Sequence, residues 1–104
     1  MTNASVLLDA LAEPTRRTIV ERLAERPAAV TDLARDLPIT RSAVSQHLQV
    51  LKSVGLVTDR AVGTRRIYAV EPEALAVIRA YFDAFWTRSL AAFRDAAEQS
   101  EDIS

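Results

Sequence analysis

Between Pro38 and Asp59 the chain carries no acidic residue, and that window holds a stretch, Thr40–Val57, whose helix has an explicit start and stop. Thr40 is a good N-cap, because its hydroxyl can accept from an orphan amide of the first turn. Gly55 stands where a helix ends in the left-handed conformation that only glycine adopts cheaply. Val44, Leu48, Leu51 and Val54 recur at helical spacing and predict a buried stripe. The opposite face carries Arg41, Ser42, Ser45, Gln46 and Gln49. A face that only meets water usually carries Glu and Lys, which are strongly hydrated helix formers. Hydroxyls, amides and guanidinium groups instead match phosphate oxygens and base edges. The stretch therefore reads as a nucleic-acid recognition helix, with an ordinary surface helix as the other reading.

Upstream, Ser5 to Ala12 predicts a short helix with Val6, Leu7 and Leu11 apolar. Pro14 suits the first position of the next helix, where its missing N–H costs nothing. That helix runs to about Glu25, with Ile19, Val20 and Leu23 inward. Arg26 to Ala29 reads as a turn, and Thr31 as the cap of a third helix burying Leu33, Ala34 and Leu37. Pro38 forbids helical continuation through Leu37. Helix, four-residue link, helix is the arrangement of a helix-turn-helix over residues 31–54, whose second helix lies in the major groove.

After Gly55 the period changes. Leu56–Arg60 and Arg65–Val70 are β-rich and joined by Ala61 to Thr64, a hairpin with glycine in its turn. Arg60, Arg65 and Arg66 flank the tip. A basic hairpin over residues 56–70 behind a helix-turn-helix reads as a wing, suited to phosphates or the adjacent minor groove. A two-stranded cover over the core is the other reading.

Glu71-Pro72-Glu73 opens a long helix over 72–98, acids at its start suiting the helix dipole. Leu75, Ile78, Phe82, Phe85, Trp86, Leu90 and Phe93 make a stripe too broad for a small core to cover. Aromatics are enriched in interface cores. With Val6, Leu7 and Leu11 beside it, this helix is expected to form the dimer interface; intramolecular core and the lining of a small-molecule pocket stay open as alternatives. Residues 99–104 read as a frayed polar tail. The fold class expected is mainly α with one β-hairpin, in the order α-α-α-α-β-β-α: a winged helix-turn-helix domain over 1–98, homodimeric through its terminal helices.

At 104 residues there is room for one domain and one modest core. The net charge of −1 is unevenly spread. Residues 38–70 hold five bases and one acid, while the remainder holds eight bases and thirteen acids. One basic patch on an acidic protein is the footprint of a single phosphate-facing surface. There is no cysteine, hence no disulfide and no thiolate metal ligand. No apolar run reaches the length of a membrane span, and the N-terminus lacks the pattern of a signal peptide. Cytoplasmic residence, with no membrane partner, is the expectation.

Three strings then resemble a known family: Leu11-Ala12-Glu13-Pro14-Thr15-Arg16-Arg17, Ser45-Gln46-His47-Leu48-Gln49-Val50-Leu51-Lys52-Ser53-Val54-Gly55-Leu56-Val57, and Gly63-Thr64-Arg65-Arg66-Ile67-Tyr68. Together they are similar to the ArsR/SmtB family of bacterial winged-helix repressors, over about residues 6 to 95. The resemblance implies a homodimeric transcriptional regulator on a palindromic operator, usually a repressor and often of its own operon. The family's sensing residues do not carry over. Where its arsenic and cadmium sensors place thiols, this chain has Ala29-Val30-Thr31-Asp32-Leu33. Its zinc and nickel sensors use His and carboxylates on the C-terminal helix, which here has Asp83 and Asp95 but no His. The two cysteines of its persulfide sensors are missing as well. No metal or cofactor is expected and no residue pattern names an effector; a metal- or small-molecule-responsive repressor, with a carboxylate-only site on the two long helices, stays open as the alternative.

The only histidine, His47, fits the family's helix string and reads as a packing residue beside Val44 and Leu51. Ser45 and His47 are two apart on one helix and face different ways, so they make no nucleophile–base pair. With no cysteine nucleophile and no glycine-rich phosphate loop, an enzyme is not expected. A protein-binding winged helix is the stronger rival, although such a surface would be more apolar than Arg41, Ser42, Ser45, Gln46 and Gln49. The expected partner is double-stranded DNA. Gln46 and Arg41 would read bases, by the bidentate pairing of Gln with adenine and Arg with guanine. Thr31, Thr40, Ser42 and Lys52 would position the backbone, and Arg60, Arg65 and Arg66 would hold flanking phosphates or the minor groove.

Overall fold

A computed structural model describes residues 3–103, with side chains described to residue 100. Helix α1 spans Ala4–Ala12 and α2 spans Pro14–Glu25. Asn3 caps α1, its side chain accepting from the Val6 amide at 3.0 Å. One residue, Glu13, ends α1 and begins α2: its carboxylate accepts the Arg16 amide at 2.7 Å while Pro14 occupies the first turn. Arg16 then donates from Nε to the Ala10 carbonyl at 2.8 Å, satisfying an acceptor that the end of α1 leaves open.

Helix α3 spans Val30–Asp36 and starts earlier than its sequence suggests. Thr31 is not its cap. Ala29 holds that position, and Asp32 Oδ2 reaches back to accept the Ala29 amide at 3.0 Å. A carboxylate at the third helical position satisfies the donor that a cap hydroxyl would otherwise have organised. The link Leu37–Thr40 turns tightly about Pro38, the Ile39 amide donating to the Leu37 carbonyl at 2.8 Å.

Helix α4 spans Arg41–Ser53, and Thr40 accepts the Ala43 amide at 3.1 Å as its cap. Its far end is closed by paired bonds. The Leu56 amide donates to the Leu51 carbonyl at 2.9 Å and the Gly55 amide to the Lys52 carbonyl at 3.1 Å, with Gly55 at φ 85°. This is the Schellman arrangement, and its usual hydrophobic contact is met by Leu51 and Leu56, both fully buried.

Strands β1 (Val57–Val62) and β2 (Arg65–Val70) pair antiparallel, from Val57 opposite Val70 to Val62 opposite Arg65. The connection is therefore two residues, Gly63-Thr64, shorter than the four the sequence suggests. Gly63, at φ 63°, takes the first central position, where a type II′ turn asks for glycine. The Glu71 amide donates to the Leu56 carbonyl at 2.9 Å and closes the base of the hairpin. The segment expected as a plain turn, Arg26 to Ala29, contributes a further pairing. Ala28 and Tyr68 exchange both backbone hydrogen bonds, at 3.0 and 2.9 Å, so β2 is covered on its outer edge.

Helix α5 spans Pro72–Ile103, 32 residues or about 48 Å at the helical rise. It continues through residues 99–103, where a polar tail was expected; Ser104 lies outside the described residues. Only its start joins the core: Ala74 is buried, with Val77 and Ile78 packed against the cluster. The core proper gathers Leu7, Ile19, Leu23, Leu33, Val44, Leu48, Leu51, Leu56 and Val57. Leu7 is 0% exposed within one chain, which corrects its assignment to a dimer interface: the side chain is already consumed by the core. Leu11 and Ile78 are half-covered in the same way. Beyond Ile78 the helix leaves the body, and the molecule measures 70 × 28 × 20 Å. Phe82, Phe85, Trp86, Leu90 and Phe93 stand out from one chain, Trp86 at 59% and Phe93 at 75% exposure, as do Leu75 and Val6. The aromatic cluster is therefore not intramolecular core. Among the described residues no helix is long and apolar enough to cross a membrane.

Candidate nucleic-acid interface

The buried stripe of α4, Val44, Leu48 and Leu51, fixes which way the rest of the helix points. Arg41, Ser42, Ser45, Gln46 and Gln49 all lie exposed on the opposite face. Among the described residues none of these five side chains makes an intramolecular hydrogen bond or ion pair. Arg41 and Ser42 stand in the first turn, where backbone amides and the dipole favour an anion, and Ser45, Gln46 and Gln49 continue the same face along the helix. Thr31 and Thr40 are also exposed, the Thr40 hydroxyl being engaged as the cap acceptor.

The basic residues divide differently from what sequence suggests. Lys52, in the last turn of α4, reaches Asp59 Oδ1 at 2.9 Å, and Arg66 reaches Asp59 Oδ2 at 2.9 Å. Arg65 donates to Asp32 Oδ2 at the start of α3. Three of the five bases between residues 38 and 70 are thus paired with acids, and Arg41 and Arg60 are not, among the described residues. Strand alternation sorts them further. Arg60 and Arg65 share one face of the wing with Ile67, while Arg66 lies on the other with Asp59 and Tyr68.

Asp59 and Asp32 are the residues that sequence reading passes over. The Asp59 side chain is 7% exposed. The hydrogen bond from Lys52, joined by that from Arg66, holds its carboxyl below the usual range against the opposing effect of desolvation. Asp32 is lowered by the Ala29 amide first and then by Arg65. One signal was present: Asp59 is the sole acid of the basic stretch. No sequence pattern announces the pairing of Arg65 with a residue 33 positions earlier. His47 lies half-buried on the flank of α4, with Nδ1 3.8 Å from Glu13 Oε2. Among the described residues no group of three or more His, Asp or Glu side chains is gathered to hold a metal.

Comparison with known proteins identifies the family. The profile described as "Bacterial regulatory protein, arsR family" matches residues 13–59, from the α2 cap through α4 into β1. Over 93 residues the chain is 55% identical to the HTH-type transcriptional regulator Rv2034 of Mycobacterium tuberculosis, covering 89% of this chain and 87% of that one. The chain belongs to the ArsR family of bacterial regulators. It is a transcriptional regulator with the DNA-binding winged helix-turn-helix fold. A crystal structure described as a possible transcriptional regulator for arsenical resistance superposes with a TM-score of 0.68 at 46% identity, covering 82% of this chain and 93% of that one. The solution structure of the homodimeric winged helix-turn-helix DNA-binding domain Mb0332 from Mycobacterium bovis superposes at 0.66, with 30% identity over 77% of this chain and 75% of that one. The ArsR profile thus ends at β1, while the structural likeness extends over most of the chain.

Proposed function

We propose that this ArsR-family chain acts in the cytoplasm as a homodimeric repressor of transcription, binding a palindromic operator that includes DNA upstream of its own gene. It acts by binding, not by catalysis, and without a metal signal. The observation that carries this reading is the exposed, acid-free face of α4, Arg41, Ser42, Ser45, Gln46 and Gln49, whose side chains are unpaired among the described residues. That face enters the major groove. Gln46 and Arg41 read bases, each bidentate pair contributing about 1–3 kcal/mol of discrimination. Ser42, Ser45, Gln49, Thr40 and the amides at the start of α4 position the phosphate backbone.

In this reading the wing supplies Arg60 to a flanking phosphate or the minor groove. Lys52, Arg65 and Arg66 are held by Asp59 and Asp32 and serve chiefly to orient the wing. The apolar strip of α5, from Leu75 through Phe93, supports pairing with a second copy, since a single chain leaves it in water. Mb0332, described as homodimeric, supports the same assembly. A two-fold axis then sets the half-sites about one helical turn apart, and an occupied operator excludes polymerase from the promoter.

Fluorescence anisotropy with the DNA upstream of the gene, with and without chelator, tests the reading. Salt-sensitive, chelator-indifferent binding of one dimer per site is expected. Binding that an added metal ion abolishes would refute the metal-independent part, and no binding at low salt would refute the whole.

A further inference from the structure

The α4 face and the wing must meet one stretch of duplex together, so their relative placement matters as much as their chemistry. The base of the hairpin is fixed by Leu56 and Val57 in the core and by the Glu71–Leu56 backbone bond. Farther out, apolar anchoring stops, and the strand residues from Arg60 to Arg66 are exposed. At that transition stands Asp59. Its two carboxylate oxygens serve different elements: Oδ1 takes Lys52 from the last turn of α4, and Oδ2 takes Arg66 from β2. The Asp59 side chain is largely covered, at 7% exposure, and both its oxygens are occupied, while Lys52 and Arg66 keep about half of their own surface in solvent. A single carboxylate thereby ties the recognition helix to both strands of the wing.

Resting on the DNA-binding role proposed above, we infer that Asp59 is a positioning residue for operator recognition: it sets the angle of the wing to α4 and withholds Lys52 and Arg66 from indiscriminate phosphate contact. The two effects act together. A wing at a fixed angle lets Arg60 reach its phosphate only when α4 is seated in register. Lys52 and Arg66 share one carboxylate, so the cluster carries one net positive charge where two free cations would carry two, and it adds correspondingly less to the counterion release that drives sequence-independent binding. Asp32, which accepts Arg65 while also holding the Ala29 amide, is a second tie, from α3 to the far end of β2. It bears on the wing alone, whereas Asp59 bears on the recognition helix as well.

The test compares wild type, Asp59→Asn and Asp59→Glu as folded dimers, by anisotropy titrations on operator and on scrambled duplex across a salt series. Asn keeps the volume of Asp59 and removes its charge. The operator-to-scrambled affinity ratio is expected to fall about tenfold in Asp59→Asn, the scale of one lost base contact. Binding to scrambled DNA is expected to strengthen, with its salt slope steeper by about one unit for the one charge removed. Asp59→Glu, which restores the anion, is expected to recover most of the ratio. Should Asp59→Asn not fold, Arg66→Gln breaks the same tie from β2 and is expected to lower the ratio in a folded dimer. A lowered melting temperature with ratio and salt slope both unchanged would overturn the inference, leaving Asp59 a merely structural residue. A wild type that binds neither duplex would instead overturn the DNA-binding reading beneath it.

Discussion

His47 Nδ1 lies 3.8 Å from Glu13 Oε2, so the middle of the recognition helix rests against the residue that caps α2. Glu13 is held below its ordinary value of 4.5, by the Arg16 amide first and with a smaller contribution from His47. Because the folded-state value lies below the unfolded one, ionised Glu13 stabilises the fold above about pH 4.5, and that contribution is lost as pH falls through the lowered value. Asp32, Asp36 and Asp59 act in the same sense from an ordinary value of 3.8. Melting temperature is therefore expected to be flat with respect to these four carboxylates at neutral pH and to fall on acidification below that range. Glu13→Gln should show a shallower acid limb than wild type. An acid limb identical in the two would show that the cap carries no linked proton.

Base reading and phosphate holding predict different mutant signatures. Gln46→Ala should change which base pairs are preferred while leaving the salt slope nearly intact. Arg60→Gln should weaken all sequences alike and flatten the slope by about one unit per lost phosphate contact. Competition binding against a panel of single-base operator variants, repeated at several salt concentrations, separates the two. The assignment of roles fails if Arg60→Gln shifts preference at full salt slope.

The exposed strip of α5 predicts an assembly whose strength lies in a few aromatic side chains. Trp86→Ala should cost about 2 kcal/mol of association, roughly thirtyfold in the dimer constant. Phe85→Glu should go further, because it places a charge where apolar surface is to be buried. Sedimentation equilibrium reads both. Dimers of unchanged affinity in the two variants would exclude this face from the interface.

Gly63 is needed for its backbone and not for space, since a Cβ there would meet nothing within 4 Å. Gly63→Ala should cost about 1–3 kcal/mol, the penalty of a positive φ for a residue with a side chain. Chemical denaturation of the two proteins measures this. Equal stability would mean that the turn had changed type.

How much of this was legible in sequence depended on how local the cause was. Thr40, Gly55 and the stripe Val44, Leu48, Leu51 define α4 from within eighteen residues, and the observed helix and its Schellman end agree with them. The start of α3 was misplaced because two residues of that segment, Thr31 and Asp32, can both serve a helix start, and the carboxylate prevailed. The Ala28–Tyr68 pairing was hidden because a one-residue bridge leaves no periodicity. Leu7 looked like interface because an apolar helix face says only that it is covered, not by which chain. The basic stretch was legible as a charge excess, but which cations remain available depended on Asp32 and Asp59, brought in by tertiary folding.

Dimethyl sulfate protection of the operator tests the central claim most directly, because the reagent marks guanine N7 in the major groove and adenine N3 in the minor groove in one experiment. The account predicts guanine N7 protection in two half-sites about one helical turn apart. That protection should weaken on one base pair per half-site in Arg41→Ala, the guanine reader, and any adenine N3 protection should be confined to the flanks reached by Arg60. Protection restricted to the minor groove, or a major-groove pattern that Arg41→Ala leaves untouched, would contradict α4 as the reader.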